Sequence, residues 1–414
     1  MSDDFTTINA VADIFDGPHA TPNKTGDGPF FLNIASLQNG RLVLADSAHL
    51  SDEDFVRWTK RVTPGENDLL FSYETRLGEA ALMPAGIKAC LGRRMGLLRP
   101  RLDKVDPEFL LYSYLSPHFQ QEIVANTITG ATVDRISVSE IGKFKIRIPA
   151  LAEQQKIAAV LSALDAKIDL NNRINAELEA LAKTIYDYWF VQFDFPDAKG
   201  RPYKSSGGKM FWNEALNREI PAGWEATDIT SVAAVLGGAT PSKSNPDNWS
   251  GDIPFFTPTD AGGCVFQLET EDSITHTGLD SCSSDLFDKG TIFITARGSV
   301  GKLAIAGRAM AMNQSCYALV PKVPANYPFV FLHAKTLIHH LKVKASGSTF
   351  NSIVTNDIEW TKLITPKPKV VSAFCKVVAP LFERIEAAQC ENLELTQLRD
   401  WLLPLLMNGQ VRVA

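Results

Sequence analysis

The residue combinations that could carry out chemistry are all incomplete. Gly298–Lys302 has the last glycine and the lysine of a phosphate-binding loop, but that loop also requires a glycine at position 296 and a Ser or Thr after the lysine. Ala296 and Leu303 stand at those positions, so no hydroxyl is available for magnesium. Asn245–Asp247 begins like the Asn-Pro-Pro-aromatic motif of amino-methyltransferases but lacks its second proline and its aromatic residue. The sequence therefore gives no nucleotide-binding or methyl-donor site.

The histidines and cysteines do not form a metal site either. The seven histidines show no ligand spacing with Cys or Asp, and the six cysteines contain no Cys-x-x-Cys pair. Scattered cysteines are typical of reduced thiols in a cytosolic protein. Asp165–Lys167 resembles the end of a nuclease triplet, but it lies inside a long helical pattern, where a charged flank is the simpler interpretation. We therefore predict no catalytic residue, no metal ligand and no cofactor in this chain.

Composition places the chain among ordinary globular proteins. It has 414 residues, of which 45% are apolar and 21% charged, which suggests two to three domains. No apolar run approaches the roughly 20 residues that cross a bilayer, and residues 1–20 lack the basic start of a secretory signal. We expect a cytoplasmic protein with no membrane partner.

Basic residues are clustered locally although the net charge is −6. Such clusters supply affinity for phosphates, while a few polar side chains at base edges supply specificity. For any single cluster a solvated surface is the simpler interpretation, but clusters occur in both halves of the chain. They are Lys88, Arg93, Arg94, Arg99, Arg101 and Lys104 in the first half, and Arg297, Lys302, Arg308, Lys335, Lys342 and Lys344 in the second.

The elements that would position these residues occur twice. Gly65–Ala80 matches Lys289–Leu303, Gly130–Pro149 matches Gly347–Pro366, and the three blocks of similarity keep the same order. Such self-similarity indicates one duplicated unit of mixed strands and helices. Predicted strands are Leu69–Ser72, Lys143–Ile148, Thr291–Thr295 and Lys302–Ala306, and predicted helices are Pro107–Ile128 and Tyr327–Ala345.

A long helix with a heptad seam follows each unit. Apolar residues recur at alternating steps of four and three, which is the spacing of a coiled-coil seam, so the two helices are expected to pack on each other. Asn175 and Asn392 occupy matching positions, where each either fixes the register or lies at the edge of the stripe. Pro380 is expected to kink the second helix or to restart it at Leu381. The seam residues are Ile157, Leu161, Leu164, Ile168, Asn175, Leu178, Val378, Leu381, Ile385, Asn392 and Leu395.

Several of these segments resemble the specificity (S) subunits of type I restriction–modification systems. The helix start at Glu153–Ala158 and the exit Trp189–Phe195 resemble the family's central helix. Pro221–Trp224 resembles the entry to its second target recognition domain, and Phe293–Lys302 resembles a hairpin of that domain. Tyr73–Arg76 departs from the usual Arg-Gly-Ser turn.

The resemblance implies a fold. The fold class is α+β, with two tandem mixed α/β target recognition domains, each followed by a long helix, and the two helices pair as an antiparallel coiled coil with pseudo-two-fold symmetry. The implied segments are recognition domain 1 (1–149), the central helix (150–187), a linker (188–220), recognition domain 2 (221–367) and the C-terminal helix (368–414).

The resemblance also implies partners and a function. Each recognition domain would read one half of a bipartite double-stranded DNA target, with the helices acting as the ruler between the halves. Two methyltransferase (M) subunits carrying S-adenosylmethionine would dock on the chain and modify adenines. Restriction (R) subunits with ATP and magnesium would add cleavage. The chain itself would be non-catalytic.

The residues expected to face DNA follow from the hairpin, the Thr-Pro turns and the basic clusters. Arg76 and Arg297 are candidates for hydrogen bonds to guanine, and Glu74 would accept from cytosine or orient Arg76. Two alternatives remain open, which are a scaffold that does not touch DNA and a self-contained DNA-modifying enzyme with an unrecognised site. The full set is Ser72, Tyr73, Glu74, Arg76, Asn23, Lys24, Arg93 and Arg94 in the first unit, and Arg297, Ser299, Lys302, Ser242, Lys243, Asn313 and Gln314 in the second.

Overall fold

A computed structural model describes residues 5–18, 20–45, 47–130, 133–344 and 351–413 of the chain. These residues belong to two compact units. Unit 1 combines Met1–Ile168 with Glu394–Ala414, and unit 2 is the continuous stretch Asp169–Leu393. Each long helix therefore contributes residues to both units. The family resemblance implied instead that the helices are segments separate from the recognition domains.

Unit 1 contains a central antiparallel sheet and short surrounding elements. Its strands are Phe5–Thr7 (β1), Ala12–Asp16 (β2), Thr25–Phe31 (β3), Leu37–Gln38 (β4), Arg41–Leu42 (β5), Ala48–His49 (β6), Leu69–Ser72 (β7), Ala80–Leu82 (β8), Ala89–Cys90 (β9), Met95–Pro100 (β10) and Lys145–Arg147 (β11). Its helices are Ile8–Val11 (α1), Asp52–Trp58 (α2), Pro107–Leu115 (α3), Pro117–Ala125 (α4), Val138–Ile141 (α5) and the first part of Leu151–Tyr186 (α6).

The main sheet of unit 1 is covered on both faces. Its strand order is β2-β10-β7-β8, and α3 lies against β7 and β8. Leu69 and Phe71 of β7 belong to one apolar cluster and Leu70 to another. This explains why the strand reads as a continuous apolar run rather than an alternating one.

The predicted helix over residues 107–128 is two helices. Ser116 ends α3, and its hydroxyl accepts from the backbone N–H of Phe119 at 3.5 Å at the start of α4. Pro117 occupies the first position of α4, where its missing N–H is tolerated. The residue before a proline is driven out of the helical region, so the chain must turn at Ser116.

Unit 2 has more strands arranged on the same plan. Its strands are Met210–Asn213 (β12), Arg218–Pro221 (β13), Glu225–Thr227 (β14), Ala233–Gly237 (β15), Trp249–Phe256 (β16), Phe266–Gln267 (β17), Asp272–Ile274 (β18), Ile292–Thr295 (β19), Leu303–Ala306 (β20), Ala311–Met312 (β21), Cys316–Pro321 (β22) and Leu363–Thr365 (β23). Its helices are His276–Asp280 (α7), Tyr327–Lys344 (α8), Thr355–Trp360 (α9) and most of Pro368–Met407 (α10).

The duplication predicted from the sequence is present in the strand topology. The sheet β15-β22-β19-β20-β17 repeats β2-β10-β7-β8 with one strand added, and β18-β16-β21 repeats β6-β3-β9. In both small sheets the first Phe of a Pro-Phe-Phe sequence pairs in parallel with an alanine, Phe30 with Ala89 and Phe255 with Ala311. The strand just before each long helix, β11 or β23, pairs with a strand at the start of its domain.

The long helices pair in opposite directions within unit 2. Asn171 of α6 contacts Asn392 of α10. Further along α6, the ring centre of Tyr186 lies 6.0 Å from that of Phe374. The contact position on α10 thus moves backwards as α6 advances. α10 is continuous from Pro368 to Met407, so the expectation that it restarts at Leu381 is wrong.

The predicted seam is the buried side of both helices. Among its residues Ile157, Leu161, Ile168, Val378 and Ile385 are buried, and Leu164, Leu178, Leu381, Asn392 and Leu395 are half-buried. Ile157 and Leu161 belong to the core of unit 1, and Val378 and Ile385 to the core of unit 2. The seam therefore joins each helix to its globular unit as well as to the other helix.

The segment 188–220, predicted as a linker, is an ordered part of unit 2. Asp187–Val191 forms a π-helical turn, and β12 and β13 form a hairpin. Trp189, Phe190, Phe193 and Phe195 are buried in the core of this unit. These aromatic residues attach the segment to unit 2, because burying them removes a large apolar area from water.

Within the described ranges no helix is long and apolar enough to span a membrane.

Candidate nucleic-acid interface

Three chain segments meet at one end of the main sheet of unit 2. The β19–β20 turn (296–302) is bound to the loop before β22 (313–315), because the Ala296 N–H donates to the carbonyl of Ser315 at 2.8 Å. The Ile353 N–H donates to the Ala296 carbonyl at 2.9 Å, which adds residues 351–353. We call these three segments turn cluster 2.

The turn itself is fixed by a buried side chain and two glycines. The hydroxyl of Thr295, at the end of β19, accepts from the Lys302 N–H at 2.9 Å and donates to the Ser299 carbonyl. Gly298 and Gly301 have φ angles of 77° and 79°, a region that side-chain-bearing residues rarely adopt. The turn is thus held in one conformation without help from its exposed side chains.

Three backbone hydrogen bonds of this arrangement recur in unit 1. The Tyr73 N–H donates to the Arg94 carbonyl at 3.1 Å, and the Ile136 N–H donates to the Tyr73 carbonyl at 2.8 Å. The Ser72 N–H donates to the Glu79 carbonyl at 3.1 Å, as Thr295 does to Lys302 at 3.0 Å. Residues 73–79, 92–94 and 134–136 therefore form turn cluster 1, in which Tyr73 corresponds to Ala296.

In turn cluster 2 the residues predicted to face DNA differ in whether their side chains bind other parts of the protein. Arg297 and Ser299 are exposed, and among the described residues the Arg297 guanidinium has no hydrogen-bond or ion-pair partner. The Lys302 ammonium, also exposed, donates to the Ala261 carbonyl at 3.0 Å. The Asn313 side chain accepts from the Ser315 N–H at 3.0 Å, and the Gln314 side chain accepts from the Thr240 hydroxyl.

The two predicted Thr-Pro turns behave differently. In unit 2 the Thr240–Gln314 bond joins this turn to turn cluster 2, and Ser242 and Lys243 beside it are exposed. In unit 1 Asn23 and Lys24 are exposed as well. Among the described residues, no hydrogen bond or ion pair connects Asn23 or Lys24 with turn cluster 1, so the structure does not bring them together.

Two predicted DNA-facing side chains point inward. Ser72 is 1% exposed and its hydroxyl donates to the Glu74 carbonyl at 2.9 Å. Tyr73 is 8% exposed, and burial raises the pKa of its phenol. The expectation that these two face DNA is corrected, because both faces of the sheet are covered where β7 ends.

Four charged residues of turn cluster 1 are paired with each other. Glu74 forms an ion pair with Arg94, with 3.1 Å between Oε1 and Nε. Arg76 instead donates to Glu79 at 3.1 Å and to the Ile34 carbonyl at 3.1 Å, so Glu74 does not orient Arg76. Arg93 is exposed.

The corresponding positions of the two clusters carry opposite charges. Since Tyr73 corresponds to Ala296, Glu74 corresponds to Arg297. The backbone hydrogen bonds of Ser72 and Thr295 likewise make Glu79 the counterpart of Lys302.

Arg135 is a further exposed residue of turn cluster 1 that was not predicted from the sequence, and its backbone pairs with that of Glu74. The matched blocks 130–149 and 347–366 were the signal that could have located it.

One cysteine thiol lies next to turn cluster 2. Cys316, next to turn cluster 2, is buried, and burial raises the pKa of its thiol to about 12, far from the range of a nucleophile. Among the residues that the structure describes, no group of three or more His, Cys, Asp or Glu side chains is arranged to hold a metal. The arrangement suits recognition through exposed side chains on fixed turns.

Comparison with known proteins gives one consistent family. The sequence matches the family described as the type I restriction modification DNA specificity domain twice, over residues 12–180 and 221–394. It is 26% identical over 366 residues to the HindI specificity subunit of Haemophilus influenzae, covering 76% of this chain and 80% of that one. It is 24% identical over 417 residues to the putative MjaX specificity subunit of Methanocaldococcus jannaschii, covering 97% and 91%. The crystal structure of an S subunit from M. genitalium superposes with a TM-score of 0.56 at 18% identity, over 97% of this chain and 95% of that one.

Proposed function

Because this chain belongs to the type I restriction–modification DNA specificity family and carries its domain twice, we propose that turn clusters 1 and 2 each read one half of a bipartite DNA target. The chain supplies sequence choice and no catalysis of its own. We further propose that it acts in a complex with two methyltransferase subunits that hold S-adenosylmethionine. Restriction subunits that use ATP and magnesium complete the complex for cleavage.

The observation that carries the proposal is the repeated geometry of the two clusters. Their backbones share three hydrogen bonds at matching positions, while the exposed side chains on them differ. A common scaffold with different side chains is what two readers of different sequences require, because base edges are distinguished by the donors and acceptors presented to them.

A methylome tests this function. The gene is deleted in the native cell, and modified adenines are mapped by single-molecule sequencing before and after deletion. We expect one split motif, with two defined parts around an undefined gap, to lose its methylation. If no motif is lost, the scaffold alternative is favoured. If the purified chain alone methylates or cleaves DNA, the enzyme alternative is favoured.

Replacing Arg297 tests which unit reads which part. Arg297→Ala removes an exposed guanidinium that has no structural partner among the described residues, so the chain should stay folded. We expect the motif to become degenerate at one position of one part, with a loss of discrimination of about 1–3 kcal/mol, while the other part is still read.

The matched control is Lys322→Ala. Lys322 is also an exposed cation, and it follows β22 at the end opposite Ser315, so it is away from turn cluster 2. Its removal should leave the motif unchanged. Equal relaxation of both parts by Arg297→Ala would contradict independent reading by the two units.

A further inference from the structure

Turn cluster 1 contains a strained backbone that turn cluster 2 does not need. Thr75 has a φ angle of 73° and Arg94 a φ angle of 76°. Thr75 corresponds to Gly298, whose φ angle of 77° carries no such strain because glycine lacks a Cβ. A β-branched residue at positive φ is a real outlier, and such strain persists where the surrounding structure has a use for it.

Two side chains contact the Arg94 guanidinium. Arg94 Nε lies 3.1 Å from Glu74 Oε1 in an ion pair without hydrogen-bond geometry, and Arg94 Nη1 lies 3.4 Å from the Thr75 hydroxyl. The second terminal nitrogen, Nη2, has no hydrogen-bond partner among the described residues. The Arg94 side chain is 32% exposed against 19% for Glu74, so the arginine is the more accessible member of the pair.

Other charged groups of the cluster are less suited to an aimed base contact. Arg76 is committed to Glu79 and to the Ile34 carbonyl, so it serves the structure of the turn. Glu74 is paired, and an accessible carboxylate would be repelled by DNA phosphates. Arg93 is exposed without a described partner, which suits a phosphate contact better than an aimed base contact.

Resting on the proposed function, we propose that Arg94 is a specificity-determining residue of unit 1 that donates to guanine in the major groove, and that Glu74 and Thr75 are its positioning residues. A guanidinium fork matches O6 and N7 of guanine, and fixing the arginine beforehand reduces the conformational freedom lost on binding. In unit 2 the corresponding loop residue is Ser315, and the guanidinium comes from Arg297 on the turn instead. The two units thus present arginines from different segments of the same scaffold.

The decisive variant is Arg94→Lys, expressed from the native locus and read out by the methylome. Lysine keeps the charge for a phosphate but cannot offer a two-pronged contact to guanine. We expect the preference for guanine at one position to fall by about 5- to 150-fold in one part of the motif only. Lys60→Ala, an exposed cation of unit 1 outside the cluster, is the matched control and should leave the motif unchanged.

Two further variants test the positioning role. Glu74→Gln removes the charge that holds Nε, and Thr75→Gly removes the hydroxyl while relieving the backbone strain. Both should relax the same position as Arg94→Lys, and Thr75→Gly should do so without lowering the thermal midpoint. A purely structural role predicts instead that Thr75→Gly leaves the motif intact, so the motif, and not the thermal midpoint, decides between the two.

The outcomes separate this inference from the proposed function. If deletion of the gene abolishes a split motif but Arg94→Lys leaves that motif unchanged, the inference is overturned and the function stands. If Glu74→Gln changes which base is preferred instead of relaxing the preference, Glu74 itself is the reader and the inference is overturned. If deletion removes no motif, the proposed function fails first. Continued methylation that depends on the other part of the motif shows that each variant still folds and assembles.

Discussion

At the scale of single residues, buried polar groups make the stability of unit 2 dependent on pH. His333 is 3% exposed, and its Nδ1 lies 2.8 Å from the Tyr186 hydroxyl. Burial, with a smaller contribution from His340, lowers the pKa of His333 to about 3. The folded chain therefore holds this imidazole neutral in a range where the unfolded chain would protonate it.

We expect the free energy of unfolding to fall as the pH drops from about 6.5 towards 3 because of this residue. The unfolded state binds the proton near pH 6.5 and the folded state does not, so the loss approaches about 1.4 kcal/mol per pH unit. His333→Gln should remove that part of the slope. Urea unfolding of the original chain and of His333→Gln at pH 7, 6 and 5 measures the free energy of unfolding of each. If the two free energies change equally with pH, His333 does not contribute.

Residue identity alone indicated some features of the site and missed others. Arg297 is predictable because it lies on a glycine-rich turn, where a polar side chain is normally exposed. The inward direction of Ser72 and Tyr73 is not, because it depends on a second apolar layer formed by distant residues. The Glu74–Arg94 pair joins two separate segments, so local spacing gives no sign of it and favours Arg76 as the partner instead.

At the scale of elements, the heptad spacing predicted the two long helices well. The bounds 151–186 and 368–407 lie close to the predicted ones, because a sustained apolar seam is a strong signal over many turns. The behaviour at Pro380 was not predictable from the seam. The exit Trp189–Phe195 was identified by its resemblance to the family's central helix, but its burial depends on contacts within unit 2 that the sequence does not show.

Asparagines of the two long helices form a hydrogen-bonded group inside unit 2. Asn171 is fully buried and donates to Asn392 at 2.9 Å and to Glu391 at 2.7 Å, while Asn392 donates to Asn172 at 2.8 Å. Asn392 thus takes part in a polar contact between the helices, as expected of a residue that fixes register. Its sequence counterpart Asn175 is also buried.

We expect Asn171→Ala to lower the free energy of unfolding by about 1–3 kcal/mol, because the half-buried polar groups of Glu391 and Asn392 on α10 lose their partner. Arg173→Ala, at an exposed position two residues further along α6, is the control and should change little. The double variant Asn171→Leu with Asn392→Leu should recover stability, since an apolar pair satisfies the seam without hydrogen bonds. Denaturant unfolding of the four chains decides this, and equal stability of Asn171→Ala and the control would refute the contribution.

At the scale of the whole molecule, the duplication allows the recognition domain of one unit to be replaced by a copy of the other. β2 begins at Ala12 and its counterpart β15 at Ala233, and both domains end at a matched proline, Pro149 or Pro366. Replacing residues 12–149 by a copy of 233–366 keeps these boundaries. We expect the resulting chain to direct methylation to a target that contains the unit 2 sequence twice. Persistence of the original unit 1 sequence in the methylated motif would contradict the assignment of one reader to each unit.

The two chain segments that make up unit 1 also determine when its core can be completed during synthesis. Unit 2 is one continuous stretch, whereas the core of unit 1 includes Leu406 and Met407 from the end of α10. A ribosome therefore delivers every residue of unit 2 before it delivers the last core residues of unit 1, although unit 1 begins the chain. A premature stop after Leu393 would leave unit 2 with all of its residues. Unit 1, although it is synthesised first, would lack part of its core and would be exposed to proteases.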